Sequence, residues 1–145
     1  MSMWLDLVKI DPAVLAAVQE RPQLIDALFS EEDDPDPVVA GVHSDADSFG
    51  YDYRLLSDIA EGRARAEQGT GDWQSAYPWL ARAAGHDCAV VEAYDFGYGP
   101  AHFLTPDEVA EVARGLRTEH WDLDDLLPFF TRAAAEGRAV LGGVS

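Results

Sequence analysis

Cysteine is almost missing from this chain: Cys88 stands alone in 145 residues. That excludes an internal disulfide and a thiolate zinc cluster, each of which needs more than one thiol. Basic residues are also scarce. Nine arginines and one lysine, Lys9, face 27 acidic side chains, for a formal charge of −17. A field of that sign repels phosphates and anionic lipid, so neither nucleic acid nor a membrane surface is an expected partner. No apolar run approaches bilayer-spanning length. The N-terminal segment from Met1 to Leu7 has neither the basic region nor the sustained apolar stretch of a secretory signal. The expected location is therefore the cytoplasm.

Catalytic motifs are lacking as well. There is no His-Glu-x-x-His and no Gly-x-Ser-x-Gly elbow. Gly69-x-Gly71 and Gly97-x-Gly99 lack the third glycine and the lysine of phosphate loops. His43, Asp45 and Asp47 open superficially like a calcium loop, but Phe49 and Leu56 occupy positions that need oxygen ligands. No catalytic residue, metal site or cofactor is assigned, and the expectation is a non-enzymatic protein. Cys88 follows His86 by two residues, a same-face spacing in a strand. Its apolar neighbours Ala89, Val90 and Val91 favour a buried structural thiol.

What is present argues for a packed globule. Hydrophobic residues make up 48% of the chain, with four Trp, five Tyr and six Phe, more than a disordered acidic chain carries. The length suits one domain, residues 1–145, burying roughly 68% of its unfolded surface.

Local patterns predict helices and strands in a mixed order. Trp4 to Ile10 reads as a strand. Asp11-Pro12 is an N-cap and first-position proline for a helix burying Val14, Leu15 and Val18, which Arg21-Pro22 ends. A second short helix carries Leu24, Ile25, Leu28 and Phe29. Glu31, Glu32, Asp33, Asp34 and Asp36, interrupted by Pro35 and Pro37, read as an exposed loop, with an edge strand over Val38 to Val42. Tyr51 to Glu67 is expected to be helical, with Tyr51, Leu55, Leu56 and Ile59 on one face and Gly62 weakening it. Asp72 caps a helix from Trp73 to Ala84, which Pro78 kinks or restarts. His86 to Tyr94 reads as a strand.

The block Tyr98-Gly-Pro-Ala-His-Phe-Leu-Thr-Pro-Asp-Glu-Val109 is the most specific stretch. Thr105 is an N-cap, Pro106 suits the first helical position, and Glu108 completes a capping box. Val109, Val112, Ala113 and Leu116 then form one buried face. Asp122 to Leu127 reads as a capped turn before a helix from Pro128 to Glu136 that packs Phe129, Phe130 and Ala133. Gly137 suits its left-handed end, and Arg138 to Val144 closes as a strand. The fold class expected is α+β, a helix-rich single domain with a small sheet that contains both terminal strands.

Three segments resemble the uncharacterised YfbM-like family of small bacterial proteins: Met3 to Phe29, Gly97 to Ala113 with its Tyr-Gly-Pro-Ala and Leu-Thr-Pro elements, and Phe130 to Leu141. Together they span about half the chain. The resemblance implies a single YfbM-like α+β domain of unknown function and no transferable reaction.

Two functional readings follow. In the first, an immunity- or inhibitor-like binding protein engages a basic protein partner through Glu31, Glu32, Asp33, Asp34 and Asp36, or through Asp122, Asp124 and Asp125. In the second, Asp95, Tyr98 and His102 line a small polar cleft for a small molecule or a minor enzymatic activity. The bland counterparts are a solvated acidic surface, and a strand in which His102 is half-exposed and Tyr98 is core. Trp121 reads as a packing anchor of the last two helices.

Overall fold

A computed structural model describes residues 3–29, 48–121, 123 and 125–145. Among these, seven helices and five strands are interspersed along the chain. The strands are β1 (Trp4–Ile10), β2 (Ser48–Asp52), β3 (Ala89–Asp95), β4 (Pro100–Leu104) and β5 (Ala139–Val144). They form one antiparallel sheet in the order β2-β1-β5-β4-β3. The class is α+β, and the two terminal strands pair with each other near the middle of the sheet.

Period-2 alternation divides the core in two. Leu5 and Leu7 of β1 lie in one cluster with Phe49, Leu104 and Val140. That face is covered by α3 (Tyr53–Gln68), α4 (Trp73–Ala76), α5 (Pro78–Ala83), α6 (Pro106–Thr118) and α7 (Leu126–Ala135). Val8 and Ile10 point the other way, joining Ala101, Phe103 and Leu141. There α1 (Pro12–Glu20) and α2 (Leu24–Phe29) supply Val14, Leu15, Val18, Leu24, Ile25 and Leu28. Helices on both faces explain why β1 and β5 are buried along nearly their whole length. Lys9 is only 3% exposed, and its ammonium is paired with the carboxylate of Glu136.

The caps follow the sequence closely at α6. Thr105 Oγ1 accepts from Glu108 N at 3.4 Å while Glu108 Oε1 accepts from Thr105 N at 3.1 Å, a complete capping box. Val109, Val112, Ala113 and Leu116 are buried as the periodicity requires. Asp72 caps α4, its carboxylate accepting from Ser75 N.

Several local expectations need correction. Asp11 has the N-cap backbone position of α1, yet its side chain makes no capping hydrogen bond and lies 3.6 Å from Arg138 instead. Tyr51 is in β2, not in a helix; pairing with β1 (Leu5↔Tyr51, Leu7↔Phe49) overrides the local pattern. α3 starts only at Tyr53, capped by Asp52, and buries Leu56, Ala60 and Ala64 while Leu55 and Ile59 stay exposed. The segment from Trp73 to Ala84, by contrast, divides at its proline as expected: α4 ends before Tyr77 and Pro78 opens α5. β3 begins at Ala89, so His86 and Cys88 precede the strand in a turn where Asp87 has φ 56°. α7 starts at Leu126 and holds Pro128 in its first turn, where a missing N–H breaks no helical bond. The acidic run Glu31, Glu32, Asp33, Asp34 and Asp36, the strand expected over residues 38–42, and Asp122 and Asp124 lie outside the described residues.

Candidate functional site

A cleft of about 230 Å³ opens on the face covered by α3 to α7, where β4 and β5 meet the turn after α5. His102 forms its floor. It sits mid-strand in β4 with the same parity as Leu104, so its side chain points toward the helices. Directly above, the chain leaving α5 passes through Gly85 at φ +102°. A Cβ there would lie 2.7 Å from both Nδ1 and Cε1 of the His102 ring. Glycine is needed twice over, for the left-handed backbone and for this close approach.

The result is a histidine only 4% exposed, whose Nε2 is buried with no hydrogen-bond partner among the described residues. Burial first, and then the nearby imidazole of His86, push its pKa down from 6.5 to about 4. His102 is therefore neutral at physiological pH.

His86 lines the same cleft. Its Nε2 lies 2.6 Å from Tyr53 Oη, and its ring meets Trp73 edge-on at 5.7 Å. Burial lowers the His86 pKa and raises that of Tyr53. Both groups are thus held uncharged. A phenol is the stronger donor and an imidazole nitrogen the stronger acceptor. On that ground the bond is assigned as Tyr53 O–H donating to His86 Nε2, which puts the His86 proton on Nδ1. Tyr98 stands at the mouth, 45% exposed, anchored through its backbone N–H to Val144 O. Met3, Val90 and Val144 supply the apolar wall.

Of the three residues expected to share a cleft, Tyr98 and His102 meet and Asp95 does not. Asp95 is exposed and its Oδ1 accepts from Gly97 N at 2.9 Å, shaping the β3–β4 turn. It borders a separate shallow groove with Glu92 and Tyr94. The register shift between Val91 and Asp95 carries it away from the strand positions that pair with β4's centre. His102 is buried where a half-exposed residue was the bland expectation, and Tyr98 is exposed where core was. Sequence reasoning missed Tyr53 and His86 as cleft residues. Their only signal was residue type, because nothing local joins position 86 to position 102.

Among the described residues, the remaining candidates do not line the cleft. Asp125 is exposed ahead of α7 without a side-chain capping bond. Trp121 is 4% exposed, against Tyr77 at 5.2 Å with the Arg63 guanidinium 4.3 Å over its ring, so it anchors packing. The Cys88 thiol is pushed up to about 11, by burial foremost. Among the described residues no group of three His, Cys, Asp or Glu side chains could hold a metal ion, and no helix is long and apolar enough to cross a membrane.

No protein-family model, curated protein or solved structure matches the chain.

Proposed function

We propose that this chain is a small-molecule-binding protein whose site is the cleft between His102, His86, Tyr53 and Tyr98. One observation carries the reading: His102, whose buried Nε2 has no hydrogen-bond partner among the described residues, lines an open cleft. Leaving such a group unsatisfied costs about 1–3 kcal/mol, and a ligand that completes its bonding recovers part of that. Gly85 reinforces the point, since its lack of a side chain lets the turn rest on the imidazole.

The test is a fragment library screened by NMR on the wild-type protein, following the His102 and His86 imidazole nitrogens and Tyr98. Saturable shifts at these groups, weakened by Tyr98→Ala, are expected. A library that perturbs none of them while the protein is folded refutes the proposal.

A second reading rests on the charge of −17. An acidic protein of this kind attracts a basic protein partner and speeds its association at low salt. Reversing the charges at Glu31, Glu32, Asp33, Asp34 and Asp36 should then slow association and flatten its salt dependence. Partner capture that is indifferent to salt and to those charges would count against it. Both readings suit the cytoplasm and a YfbM-like kinship.

A further inference from the structure

We infer that the cleft takes an uncharged, flat, hydrogen-bonding ring of the nucleobase type, and rejects phosphorylated or otherwise ionised compounds. This rests on the small-molecule reading above and specifies its ligand class.

Among the described residues, the lining contains no lysine, arginine, aspartate or glutamate. An ion entering it would leave water and meet no countercharge, a loss that a few neutral dipoles do not offset. The two imidazoles cannot supply a positive charge either. Burial favours the neutral form of both, and His86 further disfavours protonation of His102. The net charge of −17 adds a long-range barrier against phosphate-bearing molecules.

Polar groups at the cleft then set the ligand's complement. A neutral imidazole offers one donor and one acceptor on divergent sides of its ring, so His102 can meet a ligand through one nitrogen at most, and the ligand must carry a polar ring atom to pair with it. Tyr53 has committed its proton to His86 and keeps oxygen lone pairs for a ligand donor. A purely apolar molecule would leave the His102 nitrogen as orphaned as it is now.

Size and shape narrow the class further. The cleft's 230 Å³ is smaller than the roughly 300–1,000 Å³ of drug-sized sites, and holds one compact ring system. The exposed Tyr98 ring at the mouth offers a stacking face, which favours an aromatic ligand over a sugar of similar polarity. Gly85 and Gly99 border the same space without side chains of their own.

The experiment titrates wild-type protein with adenine, uracil and nicotinamide, with AMP and UMP, and with ribose and glucose. Readouts are His102 imidazole ¹⁵N shifts and the melting temperature. Neutral rings should shift the His102 signals saturably, and the phosphorylated forms should bind at least about tenfold more weakly. Tyr98→Ala, an exposed change that leaves the core intact, should weaken ring binding about tenfold. His102→Gln, which keeps a donor and an acceptor, should retain more affinity than His102→Phe. If AMP or UMP binds as tightly as the free base, or if a sugar binds and no ring does, the ligand class is wrong while the cleft survives as a binding site. The class is equally wrong, and the site equally intact, if none of these compounds shifts His102 but a charged or aliphatic library fragment does. If nothing from any class reaches His102, both the class and the underlying reading fall.

Discussion

Replacing Gly115 with alanine sets two effects of opposite sign against each other. Gly115 is buried within α6, three residues before its end. In a helix interior the change alone should stabilise by about 0.8–1 kcal/mol, because alanine loses less backbone freedom on folding. Tertiary packing opposes it. A Cβ at Gly115 would lie 2.0, 2.2 and 2.5 Å from Cγ, Cδ2 and Cδ1 of Trp79. Those atoms are the root of the indole, so no terminal torsion clears them. Either Trp79 leaves its rotamer or α5 slides off α6. α5 is not free to slide: Glu119, just past α6, accepts from Trp79 N and Leu80 N at 3.1 Å each. Overpacking of this kind costs about 1–3 kcal/mol. The steric term should win, leaving a net loss of up to about 2 kcal/mol and a drop of up to roughly 8 °C in Tm. Urea and thermal unfolding followed by far-ultraviolet circular dichroism measure both. The decisive arm is the same substitution in a Trp79→Ala background, where the clash is gone and Gly115→Ala should turn stabilising by about 0.5–1 kcal/mol. A stabilising effect in wild type, or equal destabilisation in both backgrounds, refutes the steric account.

Three further outcomes are expected from the same geometry. His102 has its folded pKa lowered from 6.5 to about 4, so its contribution is complete above pH 6.5 and is lost as pH falls toward 4. That share amounts to about 3 kcal/mol, His86 adds to it in the same direction, and urea titrations at several pH values should show a flatter dependence in His102→Gln; an unchanged slope would contradict the assignment. Cys88, with its thiol raised to about 11, should be roughly a thousandth ionised at pH 8; labelling with a disulfide reagent should be slow in native protein and quicken on unfolding, and rapid native labelling would disprove its burial effect. Glu119→Ala removes the acceptors that satisfy the first free N–H groups of α5 and should destabilise by about 1 kcal/mol, whereas Glu119→Gln, which keeps one acceptor, should lose less in the same unfolding assay.

Legibility in the sequence tracked the span of the interaction. The α6 capping box was readable because Thr105, Pro106 and Glu108 lie within four residues and act on one another directly. β2 was not, because Ser48–Asp52 owes its extended form to β1, more than forty residues earlier. The short apolar spacing of Tyr51, Leu55 and Ile59 fits a helix locally, yet Tyr51 is held in the sheet and the other two face outward. At the cleft, Tyr98 and His102 were separable from their neighbours by type and by their place beside a turn. Asp95 was grouped with them by nearness in sequence, which the turn at Gly97 and the register shift undo.

By itself the sequence determined the α+β class, the terminal strands, the amphipathic face of α6 and a charge that repels polyanions. Each follows from residue type and periodicity over a few turns of chain. Tertiary structure alone decided that Gly85 closes over His102, that His86 and Tyr53 join it, and that Trp79 fills the space left by Gly115. Those meetings join segments 16 to 49 residues apart. They depend on how the helices lie across the sheet, which no local preference encodes.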